Sequence, residues 1–122
     1  MQILRIGILP YQGTCNVGNM THKIALKLAD NNKINTVCSL GLPLGIQSII
    51  NTAKMNERFI ALNGCPIKCS SLALKKVGVV EFRELTLTDD FCIQKNKNFN
   101  DETKMNQVEI AVSNVIKKWQ YE

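Results

Sequence analysis

Two cysteines stand four residues apart in the stretch Asn63-Gly64-Cys65-Pro66-Ile67-Lys68-Cys69 of this 122-residue chain. A C-x3-C spacing falls within the range used by zinc sites and differs from the C-x-x-C of thioredoxin-like redox centres. The apolar run before it reads as a strand and the periodic run after it as a helix. Cys65 then takes the N-cap position and Pro66 the first helical position, where a missing N–H costs nothing. On such a helix Cys65 and Cys69 share one face. The positive end of the helix dipole favours the thiolate, which is the form that binds a metal or attacks an electrophile.

The elements that must position these thiols alternate between short apolar runs and amphipathic segments, the pattern of parallel β and α units. Residues 3–9 form a nearly continuous apolar strand suited to the middle of a sheet. Val17, Met20, Ile24 and Leu28 predict a helix over about 17–30. Residues 34–39 read as a second, more polar strand nearer an edge. Leu42, Ile46, Ile49, Ile50 and Ala53 mark the buried stripe of a second helix. Residues 58–62 are the third strand. Ile67, Leu74 and Val77 carry the apolar face of the third helix, with Gly78 as its cap. Residues 79–85 alternate as an exposed edge strand. A polar loop follows, and Asn100 or Asp101 caps a last helix over about 101–119 with Met105, Val108, Val112, Val115 and Trp119 on one stripe. The expected fold is a single α/β domain over 1–122. Its core is a small doubly wound, Rossmann-like, mainly parallel sheet of about four strands, order 2-1-3-4, flanked by helices.

In such a sheet all strands end at one edge, and ligands bind in the crevice beyond it. Cys15 lies after strand one, Cys38 at the end of strand two, Cys65 at the end of strand three and Cys69 one turn later. Topology therefore brings these four cysteines to one edge. The first loop also enters a helix N-terminus, so Gly13, Asn16 and Gly18 are candidates to cradle an anion. Asn63 and Gly64 are ligand-binding candidates at the third strand's end. Cys38 alone, in an apolar strand, reads as a small buried hydrophobe, and Cys92 reads as an unengaged thiol. His22 falls off the apolar stripe and reads as a surface residue. The stretch from Cys15 lacks the Arg that a C-x5-R phosphatase loop requires.

Bulk properties narrow the field. A hydrophobic content of 45% with 20% charged residues is ordinary for a globular domain. The net charge of +5 comes from scattered lysines and arginines without interleaved aromatics, so nucleic acid is not an expected partner. The apolar run near the N-terminus is interrupted by Arg5 and is too short to span a membrane or act as a signal peptide. The expected location is cytoplasmic. In a reducing compartment five cysteines serve as thiols or ligands, not disulfides.

The segments GTCNVGN, CSLGLPLG, IALNGCPIKCSSLAL and LTDDF, in this order, resemble the DGC-domain family of zinc-binding proteins over about residues 4–97. That resemblance implies a small α/β domain with a four-cysteine zinc site and no well-established reaction. Cys38, Cys65 and Cys69 match family cysteines. The fourth family cysteine corresponds to Tyr11 here, while Cys15 stands where the family has serine. The aspartate of the family name is Asn63. The resulting expectation is a Zn²⁺ site formed by Cys15, Cys38, Cys65 and Cys69, with Tyr11 lining the pocket. The alternatives are a thiol enzyme or redox protein using Cys65 or Cys69, and a phosphate-ligand module using loop 13–19.

Overall fold

The computed structural model describes residues 4–29 and 33–121. The chain runs β1 (Ile6–Pro10), α1 (Asn16–Leu28), β2 (Ile34–Thr36), α2 (Gln47–Ala53), β3 (Arg58–Asn63), α3 (Cys69–Lys76), β4 (Arg83–Thr86), α4 (Leu87–Asp90) and α5 (Met105–Gln120). Among the described residues the strands form one parallel sheet, in the expected order β2-β1-β3-β4. The residue types explain that order. β1 is buried throughout and β3 nearly so, which suits central strands, while the mixed β2 and β4 take the edges.

The pleat divides the core in two. Ile6, Ile8, Ile60 and Leu62 face α1 and α5, whose Val17, Met20, Val108 and Val112 pack on them. Leu9, Phe59 and Ala61 face the other way, toward Leu42, Ala53, Ala73 and Leu74. Successive strand residues point to opposite faces, so neighbours in sequence enter different cores. Salt bridges Lys23–Glu102 and Lys27–Glu109 join α1 to α5 and its approach. Both are exposed enough to contribute little. No helix among the described residues is long and apolar enough to cross a membrane.

Several boundaries differ from the expectation. Ile3 and Asp30, at the expected ends of β1 and α1, lie outside the described residues. β4 begins at Arg83, four residues later than expected. α5 begins at Met105 because the Asp101 carboxylate closes a turn, accepting from the Thr103 backbone N–H and the Asn96 amide, and does not cap a helix. The most consequential shift is in α3. Cys65 is not its N-cap and Pro66 is not its first residue. The Lys68 N–H donates to the Cys65 carbonyl at 3.0 Å, closing a turn in which Pro66 supplies its fixed φ at the second position. Lys68 then adopts a left-handed conformation (φ 58°) and α3 starts at Cys69. Its first turn is capped from a distance by Asn63, whose Oδ1 accepts from Ser70 and Ser71 N–H groups at 3.0 and 3.2 Å. Ile67, expected on the apolar face, is exposed. The C-terminal end follows expectation: Gly78 (φ 89°) donates to Lys75 and Val79 to Leu74, the paired bonds of a Schellman cap.

Candidate functional site

Tyr11 is the first residue past β1, and its N–H extends the sheet by donating to the Leu62 carbonyl at 2.9 Å. Its ring lies across the loops that follow β1 and β3. A Cβ on Gly13 would fall 2.1 Å from that ring, and one on Gly64 2.5 Å. A Cβ on Gly18 would fall 2.4 Å from the Gly13 carbonyl oxygen. These three glycines, expected as ligand contacts, allow the loops and the tyrosine to close on each other. Asn16 is also engaged within the chain. Its side chain donates to the Gln94 carbonyl and accepts from Asn96 N–H, and its own N–H donates to the Asn96 carbonyl. The Gly18 N–H donates to the Cys15 sulfur at 3.4 Å. Loop 13–19 therefore turns these donors inward. Asn63 likewise serves α3, and its amide donates to Ser71 Oγ at 2.8 Å.

Cys15 and Cys65 are the buried thiols, 3% and 5% exposed. Cys15 caps α1 from inside the α1–α5 core. Lys95 Nζ lies 3.8 Å from Cys65 Sγ. Burial raises the Tyr11 phenol pKa first, and the neighbouring thiol Cys15, with Cys65 and Cys69 behind it, raises it further; Lys95 opposes them. Conversely Cys65, then Tyr11 and Cys15, hold the Lys95 ammonium above its ordinary value. Tyr11 and Lys95 thus stand beside the buried thiols Cys15 and Cys65 at the C-terminal edge of β1 and β3.

Lys95 is the member that sequence reasoning missed. It arrives on an irregular strap, residues 94–104, pinned to α1 by Asn16 and by Asn19, whose amide donates to the Phe99 carbonyl. Asn96, Asn98 and Asp101 each accept from the backbone N–H two residues on. That regular spacing of Asx turns was the available signal that this polar stretch is ordered.

Cys69 and Cys38 are exposed and lie apart from the buried pair. Cys69 lines a crevice of about 610 Å³ on the α2–α3 side, with Tyr11 at its border. Cys38 lines a different crevice beside α2, and its sulfur accepts from Gly41 N–H at 3.4 Å within its own turn. Cys65 and Cys69 therefore do not share a helix face, contrary to expectation. Cys92 is exposed, with a left-handed backbone (φ 54°). His22 is half-buried and takes part in a chain in which Ser39 Oγ donates to Gln12 Oε1 while the Gln12 amide meets His22 Nδ1.

The donor chemistry, thiolates at strand ends, suits Zn²⁺. The arrangement does not: among the described residues no three His, Cys, Asp or Glu side chains are grouped so as to hold one ion. All five cysteines are free thiols. A family model described as DGC domain matches residues 7–115. No curated protein and no solved structure matches the chain.

Proposed function

This chain belongs to the DGC-domain family, and we propose that it is a small cytoplasmic domain that binds Zn²⁺ through cysteine thiolates at the C-terminal edge of its sheet. The observation that carries this reading is the place of Tyr11 at the sheet's edge, where it lines one crevice with Cys15 and another with Cys69, with Cys65 buried in the loop that leads to Cys69. Those three cysteines would hold the ion. Cys38 would join only by opening the turn in which Gly41 N–H is bonded to its sulfur. The side chains as they lie do not enclose a metal, so the reading requires that loop 63–69 or turn 38–45 move on binding. Lys95 would offset part of the negative charge that several thiolates bring together.

The test is metal content of protein prepared with zinc, followed by cobalt substitution. About one metal per chain and intense thiolate-to-cobalt bands are expected. Cys65→Ser should weaken binding about a hundredfold or more, because it removes a charged ligand outright. Absence of bound metal, with thiol titration unchanged by added zinc, would overturn the reading.

A second reading, thiol chemistry at Cys65, is favoured by the ammonium 3.8 Å from its sulfur. It requires that Cys65 react with an alkylating agent despite burial, and that Lys95→Ala slow that reaction in metal-free protein.

A further inference from the structure

The crevice beside Cys69 shares that thiol with the metal reading but extends well beyond it. It occupies about 610 Å³ between the loop leaving β1, the turns after β2 and the first turns of α3. That volume is within the roughly 300–1,000 Å³ typical of small-molecule sites. Its position is the switch point of the sheet, where the strand order reverses between β1 and β3.

Its walls are mainly carbon, from Leu40, Pro43, Leu72 and Ala73 among others. Leu40 and Leu72 are 69% and 55% exposed, so two large apolar side chains stand uncovered at its mouth. Most of its polar side chains already have partners. Gln12 and Ser39 bond each other, and Ser70 Oγ donates to the Leu62 carbonyl. The remaining charged group is Lys76, in the last turn of α3, which has no carboxylate partner among the described residues. An apolar wall ending in one uncompensated cation complements a molecule with an apolar body and one negative head.

We propose that this crevice binds a small amphipathic anion, its apolar body against Leu40, Pro43, Leu72 and Ala73 and its carboxylate-type head at Lys76. Tyr11 and Cys69 also line the crevice and Cys38 and Cys92 do not, so occupancy covers the Cys69 thiol and leaves the other two untouched. The site needs no metal, and its occupant is distinguished from a neutral lipid by the single charge.

The test uses the metal-free chain, so that its outcome is separate from that of the metal reading. Anilinonaphthalene sulfonate serves as the fluorescent probe, with decanoate and decanol as displacing ligands. Saturable one-site binding is expected, with decanoate displacing the probe at concentrations about tenfold lower than decanol. Lys76→Glu should erase that preference without changing displacement by decanol. Leu72→Asp should abolish binding of both, with circular dichroism checking the fold. Should Leu72→Asp fail to fold, the unaltered chain supplies the second readout: decanoate should slow alkylation of Cys69 and not that of Cys38 or Cys92. Non-saturable probe binding, failure of decanoate to displace it, or a decanoate preference unchanged by Lys76→Glu would each overturn the proposal.

Discussion

The two sides of the sheet's C-terminal edge hold the same kind of residue in opposite conditions. On the α1–α5 side, Cys15 and Cys65 are buried, one capping a helix and the other beside Lys95. On the α2–α3 side, Cys38 and Cys69 are exposed and border open crevices. The difference follows from the crossovers. α1 packs on one face of the sheet, and α2 and α3 on the other. A residue entering α1 and a residue entering α3 can thus share an edge without sharing a face. Tyr11 marks the divide, since it borders the Cys69 crevice and also packs against the α1–α5 core. Parallel topology brings side chains to an edge; only face assignment and loop path bring them together.

The largest test of this contrast is the order of alkylation in metal-free protein. Cys38, Cys69 and Cys92 should react at rates near those of free thiols. Cys15 and Cys65 should lag on the order of a thousandfold, because each reacts only through local opening of packed structure. Peptide mapping after timed alkylation reads the order directly. If Cys65 kept pace with Cys69, the division would be wrong and the thiol-chemistry reading would gain.

A second test attacks the divide itself. Gly18→Ala forces a methyl to 2.4 Å from the Gly13 carbonyl oxygen and 2.6 Å from its nitrogen, where only backbone could yield. Overpacking of this kind should cost about 3 kcal/mol and loosen the Tyr11 seat. Denaturant unfolding measures the first effect, and faster alkylation of Cys15 the second. Gly45 and Gly78 have no heavy atom within 4 Å of an added Cβ, so their substitution reports only the strain of φ near 80–90°. A Gly18→Ala cost no greater than at those positions would remove the close-packing account.

Much of this was legible in the residues. The apolar character of β1 and β3 against the mixed β2 and β4 was enough to order the sheet, because burial on both faces demands it. The placing of Cys15, Cys38, Cys65 and Cys69 beyond strand ends also came from periodicity. What escaped was non-local. Nothing near Cys65 announces that Asn63 reaches over a five-residue turn to cap α3, which moved the helix start from Pro66 to Cys69. Nothing near Lys95 announces that Asn16, eighty positions before Asn96, fixes the strap that delivers it. Gly13 and Gly64 looked like ligand-cradling glycines because the same lack of a side chain serves a tyrosine ring as well as a phosphate.

Asn63 supplies a smaller effect on the boundary between the two sides. It is fully buried, accepts two helix N–H bonds and donates one to Ser71. Asn63→Ala should cost about 2 kcal/mol through the lost cap and the unsatisfied donors. A cost of a few tenths of a kcal/mol or less would mean that the cap bonds to Ser70 and Ser71 carry no stability.

The smallest effect concerns the hinge between Cys65 and Cys69. Lys68, at φ 58°, is held by an ion pair to Glu84 at 2.9 Å, and Ser71 Oγ donates to the other Glu84 oxygen at 2.7 Å. The Ser71 hydrogen bond, then Lys68, hold the Glu84 carboxyl below its ordinary value of 4.5. A carboxyl depressed on folding adds stability that is present above its unfolded pKa and lost as pH falls through the folded one. Its contribution is therefore whole at pH 7 and disappears on acidification below about 4.5. Both side chains of the pair are more than a third exposed, so screening reduces the effect to about 0.5 kcal/mol. Glu84→Gln should lower stability by that amount at neutral pH. The gap from the unaltered chain should close in acid and shrink in high salt. A gap independent of both would show that the glutamate acts through packing and not through charge, and that the left-handed hinge stands without its ion pair.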